Sequence, residues 1–333
     1  MISDVSNVTS KSVRKKDSER ISRFAPLFIL VFVCVIMTVL NPNFMQFANI
    51  RNIFGQVGGI GIVALGAMVV ITSGGIDFTA GFGVALCGVV GGAFFLANES
   101  NALLFIITCI ATGIIIGIVN GLLITRLKLQ PFIITLSMMA VIQGVMQYLS
   151  EGRMIHLTRP SLQFIGSGMV FDVIPFTFVL FAVMSCIAAF IMRKTKMGAY
   201  VISLGSNEEA LKLSGVNVGL YRFLVYVFAG LCTGIGAVVM VTRIATVTPS
   251  ISGNILLDAI ASTVIGGTSM SGGRSSVIGT IIGVLIIGII GNALTMLSVP
   301  PRMQDVVKGI IIFIALYLDI AINRYQNKRI LQN

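Results

Sequence analysis

Long apolar runs separated by short polar links recur along nearly the whole 333-residue chain, and they constrain the fold more than any other feature. Examples are "FAPLFILVFVCVIMTVL", "NALLFIITCIATGIIIGIVNGLLITRL" and "GTIIGVLIIGIIGNALTML". A bilayer span needs roughly 20 predominantly apolar residues, and these runs reach or approach that length. Only 11% of the residues are charged while 56% are hydrophobic. Soluble domains carry about 25% charged residues, and surface does not shrink fast enough with size for a water-solvated fold to hide this much apolar side chain. The mean hydropathy of +0.99 agrees. Lipid must solvate the chain, which makes it an all-α polytopic membrane protein.

Run lengths, bounded by charge, Gly and Pro, place ten transmembrane helices at about 24–40, 53–73, 80–97, 102–124, 131–149, 171–192, 221–242, 258–270, 276–296 and 306–322. Residues 1–23 form a basic N-terminal tail, 24–322 the membrane domain and 323–333 a C-terminal tail. "KSVRKKDSERISR" before the first run has the look of a signal-peptide n-region. The run is long and "LNPNFMQF" after it offers no small-x-small cleavage site, so it reads as an uncleaved anchor.

The net charge of +11 is placed at helix ends and in short links, the pattern that orients membrane proteins rather than one that binds nucleic acid. With the N-terminus in the cytoplasm, 17 of the 23 Lys and Arg fall inside, leaving Arg51, Arg153, Arg159, Arg243, Arg302 and Lys308 outside. That asymmetry puts both termini in the cytoplasm. Span eight is the weak one, because "GGTSMSGGRSS" interrupts it after about ten residues from Asp258. It is expected to be a short, irregular span that still reaches the cytoplasm.

Two echoes hint at an internal repeat. "SGGIDFTAGFGVALCGVVGGA" (73–93) echoes 265–285, and "NGLLITRLKLQPFIITL" echoes "NALTMLSVPPRMQDVVKGI". The second pair joins spans five apart, an odd offset that means opposite orientation, the inverted arrangement of many transporters.

The 36 glycines read mainly as sites of close helix approach. Where two adjoin, at Gly74–Gly75, Gly266–Gly267 and Gly272–Gly273, the helix is expected to break. Broken backbone in lipid must line a cavity or be buried in protein, so these breaks point to a translocation route. Around that route the expected polar residues are Asp77, Asn120, Gln143, Asp258, Thr268, Ser271 and Asn292. Asp77 and Asp258 also read as N-caps of the helices that follow them. For Asn120, Gln143 and Asn292 an interhelical hydrogen bond is the commoner use and a lining role the sharper one.

The most specific polar stretch is "LGSNEEALKLSGVNVG", within the 193–220 loop. Ser206-Asn207-Glu208-Glu209 matches a capping box with Ser206 as N-cap and Glu209 reaching back. Glu208 and Lys212 stand at i, i+4 in the favourable order, both acids complement the helix dipole, and Gly215 supplies a left-handed C-cap. Such a helix of about two turns is marginal alone in water. Its acidic face suits a negative inner leaflet poorly, so a partner protein is expected to hold it.

The five cysteines lie in apolar runs and read as small buried side chains. The single His156 reads as a solvated loop residue, and neither it nor the cysteines have metal-site spacing. No G-x-x-x-x-G-K-[ST] occurs, so the chain is not its own P-loop ATPase, and no histidine-centred triad or H-E-x-x-H supports a membrane enzyme.

Taken together, "SGGIDFTAG", "NGLLITRLKLQPFIITLSM", "GSNEEALKLSGVNV" and "LLDAIASTVIGGTSMSGGRSSVIGTIIGVLIIGIIGNAL" resemble the permease subunits of ribose-type bacterial carbohydrate ABC importers, over about residues 40–320. The 206–215 stretch is similar to that family's EAA-type coupling motif, with Glu208 and Gly215 at its Glu and Gly. Ala210 fits, whereas Glu209 replaces the usual Ala, and Phe78 and Ala80 stand where the family has Leu and Val. The resemblance implies an ATPase-coupling segment of Ser206, Asn207, Glu208, Glu209, Ala210, Lys212 and Gly215, and a multi-pass location in the bacterial inner membrane. It also implies a second permease subunit, an ABC ATPase that holds the ATP-Mg, a periplasmic solute-binding protein and a small sugar-like substrate. No cofactor is expected on this chain, and no catalytic residue or metal. The competing class is an ion-coupled secondary transporter, which would need carboxylates deep in the bundle. The chain offers mainly Asp77, Asp258 and Asp305, all near span ends.

Overall fold

A computed structural model describes residues 26–28, 30–97, 101–157, 159–248, 254–300, 302–311, 313, 314 and 317. Both tails, and about half of the span expected at 306–322, lie outside the described residues. In chain order the helices are α1 (Pro26–Leu40), α2 (Phe47–Thr72), α3 (Ala80–Ala97), α4 (Ala102–Leu127) and α5 (Pro131–Ser150). They continue with α6 (Pro160–Ser167), α7 (Phe176–Lys194), α8 (Lys196–Ser206), α9 (Glu208–Leu213), α10 (Val218–Ile244), α11 (Ile255–Ile265) and α12 (Val277–Met296). Residues 302–311 are again helical. Four two-residue strands, β1 (Ile155–His156), β2 (Met169–Val170), β3 (Ile174–Pro175) and β4 (Thr246–Val247), pair as β1–β4 and β2–β3.

Seven of these helices (α2, α3, α4, α5, α7, α10 and α12) are long and apolar enough to cross a membrane, against the ten spans expected. Two further apolar helices are shorter: Pro26–Leu40, which starts where the described residues start, and α11, whose 11 residues make about 16 Å at the standard rise, half of a bilayer core. The span expected at 171–192 starts late because Phe171 and Asp172 take left-handed conformations (φ 53° and 57°) and turn the β2–β3 hairpin. The helix α2 begins six residues before its expected start.

Glycine sets the distances between helices. In α4, a side chain on Gly113 or Gly117 would overlap backbone of Gly230 or Tyr226 in α10, so these two helices cross backbone to backbone. The same small-residue approach packs α2 against α7 and α10 through Gly58, Gly59, Gly61 and Gly66. In a lipid solvent this close van der Waals packing replaces the hydrophobic drive that would assemble the helices in water.

The bundle has two ends. One gathers the α2–α3, α4–α5 and α11–α12 turns beside α8 and α9: Gly273 donates to the Thr72 carbonyl at 2.9 Å, and the Cβ position of Gly75 lies 3.6 Å from Pro131. The other gathers the β1–β4 pair, α6, the β2–β3 hairpin and the starts of α2 and ends of α10 and α12. There Asn49 and Asn292 exchange side-chain hydrogen bonds of 3.1 and 2.9 Å. The echo at 73–93 and 265–285 turns at the same end both times, which excludes an inverted relation for that pair. The links at 128–130 and 297–300 lie at opposite ends. Of the cysteines, Cys87, Cys109 and Cys232 are buried, Cys34 is half-buried and Cys186 faces outward. Cys186 departs from the expectation because α7 buries only one side.

Candidate functional site

The α8–α9 hairpin is built as a stiff unit. Asn207, between the helices, caps α9 by accepting the Ala210 N–H at 3.0 Å. The capping box centred on Ser206 does not form. Helix α8 runs on through Ser206, whose hydroxyl donates back to the Ile202 carbonyl at 3.0 Å, so the cap moves one residue on and Glu209 is left exposed. Gly215 has φ 78° and donates to Lys212 at 3.0 Å, the left-handed C-cap that the sequence called for. Beneath the hairpin, Leu204, Leu211 and Val218 form a hydrophobic cluster of their own with Tyr200 and Val216 against it. Leu213, by contrast, is 90% exposed at the tip.

Glu208 does not point away from the protein. Its carboxylate binds Lys212 on its own helix and Arg222 on α10, each at 2.6 Å. Partial burial would raise this carboxyl, but the hydrogen bonds and charge of Arg222 and Lys212 outweigh that and hold it below the ordinary carboxylate value. The ion pair to Arg222 therefore clamps α9 to the start of the long helix α10. Glu209, Ala210 and Lys212 are the outward residues of α9, together with Leu213.

The base of this hairpin rests on the two helix breaks. A side chain on Gly205 would overlap the Thr72 carbonyl at the end of α2. The Cβ position of Gly272 is 2.9 Å from the Gly205 carbonyl oxygen and 3.1 Å from the Gly74 Cα. Gly74, Gly267, Gly272 and Gly273 have φ between 74° and 86°, a region that only glycine enters freely. The three expected glycine breaks are thus turns, and two of them meet α8 at one backbone-to-backbone junction.

The expected pathway residues do not form one cluster. Asp77 accepts the Thr79 N–H at 2.8 Å and the Thr79 hydroxyl, one residue short of α3, so it holds the turn rather than capping the helix. Asn120, fully buried on α4, donates to the same Thr79 hydroxyl at 2.9 Å while its Oδ1 has no partner among the described residues. The hydroxyl of Tyr226, 1% exposed, is also unpartnered and points at Gly75. Asp258 is not a cap either. It lies inside the first turn of α11 and pairs with Lys308 at 2.8 Å, while Asp305 nearby accepts from Asn254. Asn292 is tied to Asn49. Thr268 is buried in the α11–α12 turn, and Ser271 shares a hydrogen bond of 2.8 Å with Ser269 there. Gln143 lies half-buried on α5. His156 is exposed, 3.1 Å from Thr246 across the β1–β4 pair.

The sequence reading missed Thr79, Arg222, Asn49, Lys308 and Gly205. Asn49 stands within a polar patch ahead of its run and Gly205 within the quoted hairpin motif, so both had a weak signal. Arg222 and Lys308 had none, because their partners are 14 and 50 residues away.

The sequence of the chain has counterparts among known proteins. Residues 49–316 match the family described as branched-chain amino acid transport system / permease component. The chain belongs to this permease family. Among its relatives, the ribose import permease protein RbsC of Bacillus subtilis (strain 168) is 37% identical over 303 residues, covering 90% of this chain and 92% of the relative. RbsC of Escherichia coli (strain K12) is 33% identical, covering 88% of this chain and 92% of its own. The galactose/methyl galactoside import permease protein MglC of Escherichia coli (strain K12) is 31% identical over 87% of this chain and 92% of its own. The family description speaks of amino acids, whereas these relatives are named for sugars. No solved structure matches the chain.

Proposed function

We propose that this permease is the membrane-spanning subunit of an ATP-driven importer for a sugar or sugar-like solute, in the bacterial inner membrane. The relatives' names support the solute class, and the observation that carries the mechanism is the Gly205 junction. In this reading the α8–α9 end is cytoplasmic, where Arg126, Lys128, Arg193, Lys194, Lys196, Lys212, Arg222 and Arg274 gather. The tails belong on that same side. A separate ABC ATPase, which carries the ATP-Mg, grips α9 through Glu209, Ala210 and the exposed Leu213. The Glu208–Arg222 pair and the Leu204–Leu211–Val218 cluster make α8, α9 and the start of α10 move together. That motion reaches Thr72 and Gly272 directly, because no side chain cushions the contact.

The solute route runs beside α5. Its outward face carries Ser137, Ala140, Gly144 and Gln147, with Gln143 at the edge. Amides facing lipid are unfavourable, so this stripe belongs against a second permease subunit enclosing an aqueous path. A periplasmic solute-binding protein delivers solute to the opposite end. No covalent step and no cofactor on this chain are required. An ion-coupled mechanism is less well supported: Asp258 is neutralised by Lys308 and Asp77 is engaged by Thr79. Uptake by proteoliposomes tests the reading. It should require ATP and the partner ATPase, and uptake that follows a proton or sodium gradient without that ATPase would overturn it.

A further inference from the structure

The turn that joins α2 to α3, residues 73–79, is held by four other helices. On one side it lies on the junction with α8, where the Cβ position of Gly74 is 3.7 Å from the Gly205 Cα. On another it carries the start of α5. There the Thr135 hydroxyl donates to the Ile76 carbonyl at 2.9 Å, and Phe132 meets Phe78 edge-on with ring centroids 5.3 Å apart. From α4, Asn120 reaches Thr79 at 2.9 Å. From α10, Tyr226 places its hydroxyl 2.6 Å from the Cβ position of Gly75, so a side chain at residue 75 would displace it.

Two of these contacts are incomplete. The Tyr226 hydroxyl and Asn120 Oδ1 are both buried and have no hydrogen-bond partner among the described residues. A buried polar atom left without a bond is costly, and a phenylalanine at the same place would avoid that cost. Asp77, two residues beyond Gly75, lies within electrostatic range of the Tyr226 hydroxyl. Both hydrogen bonds to its carboxylate fall on Oδ1, from the Thr79 N–H and hydroxyl, which leaves Oδ2 without one among the described residues. An unused donor and an unused acceptor thus stand at one turn. Gly74 takes φ 81° and Gly75 has no side chain, so the backbone there has the freedom that a hinge needs.

We propose that the 73–79 turn takes two positions in the transport cycle and that Tyr226 and Asp77 are the positioning residues that separate them. In the position of this structure the Tyr226 hydroxyl is unused; in the other it donates to Asp77 Oδ2. The proposal rests on the importer reading, because motion of α8 enters the turn at Gly74 and leaves it through Thr135 on α5. A hydroxyl bonded to a carboxylate is charge-assisted and stronger than a neutral bond. The orphaned hydroxyl raises the free energy of the first position and the bond lowers that of the second. The two then lie close enough for a bound partner to shift the balance by its differential affinity.

The test compares the native chain, Tyr226→Phe, Asp77→Asn and the double variant, each assembled with its ATPase in lipid nanodiscs. Tyr226→Phe removes the unused hydroxyl and should raise the unfolding temperature of the permease by about 2 °C or more. It should also lower ATP hydrolysis by the complex about fivefold or more, since each cycle passes through both positions. A residue that only packs would move stability and turnover in the same direction. Asp77→Asn keeps the Oδ1 that holds Thr79 but loses the charge-assisted acceptor, so it should slow hydrolysis as well. The double variant should be no slower than the slower single one, because both changes remove the same bond. Hydrolysis by Tyr226→Phe at the native rate overturns the switch and leaves the importer reading intact, as does a double variant whose losses multiply. An unfolding temperature at or below the native one shows that the hydroxyl is already satisfied, by an internal water, and also overturns it. A native chain that assembles with no ABC ATPase brings down the importer reading and the switch with it.

Discussion

Helices α2 and α5 are both long and apolar enough to cross a membrane, yet 83% of the most apolar window of α2 is buried and only 22% of that of α5. The difference lies in where their small residues point. In α2, Gly58, Gly59, Gly61 and Gly66 lie under Thr177, Met240, Phe181 and Ala229, so every side is taken by a neighbour. In α5, Gly144 has nothing within 4 Å of its Cβ position, and Ser137 and Gln147 face outward with it. A bilayer gives apolar side chains no reason to prefer one face, so small and polar residues decide which face meets protein. On that ground α2 is the frame of this subunit, and α5 carries the open face on which the proposed second subunit would sit.

The strongest challenge to this contrast is at the end of α2. Gly205→Val would drive a branched side chain into the Thr72 carbonyl and should abolish uptake. The ATPase should still co-purify, because α9 itself is untouched. Near-native uptake by this variant would remove the junction from the mechanism. The next effect is on the frame as a whole. Asp258→Ala leaves Lys308 buried without its partner and should cost about 3–5 kcal/mol, read as thermal unfolding in detergent. Adding Lys308→Met should recover most of the loss.

Glu208→Lys would set three cations together at the Arg222 site and should release the ATPase during purification, while the membrane helices stay folded. Arg222→Glu in the same chain should recover part of the association, because it restores an opposite pair across α9 and α10. The pH dependence follows from the lowered carboxyl. The pair is fully formed at and above the ordinary carboxylate value and is lost only as pH falls through the depressed one. ATPase retention should therefore be flat across the neutral range and fail only in acid.

Substitutions on α5 should separate function from stability. Gln147→Leu or Gln143→Leu should lower uptake several-fold with no fall in unfolding temperature; unchanged uptake would place this face against lipid. The smallest effect belongs to Gly144→Ala, within about 0.5 kcal/mol for the isolated subunit, since its Cβ position meets nothing. If the assembled pair of subunits is destabilised by more than that, the open face of α5 is the place where they meet.

Some of the site was legible because it is local. The short charged helix, its Glu208–Lys212 pair and the left-handed Gly215 follow from spacing within one turn, and the pairs Gly74–Gly75, Gly266–Gly267 and Gly272–Gly273 mark turns, whereas Gly58–Gly59 and Gly91–Gly92 stay inside α2 and α3. The cap was misplaced by one residue because α8 could extend through Ser206, a choice that capping chemistry does not control. The helical, lipid-solvated class of the chain was fixed by run length and the scarcity of charge, which act on any fold. Tertiary structure alone decided that Glu208 faces Arg222, that Asp258 meets Lys308 and that Asn49 pairs with Asn292, 243 residues apart. Such partners depend on which helices lie side by side and at what angle. In lipid that is set by the fit of small residues against backbone, which leaves no periodic trace of its partner in the sequence.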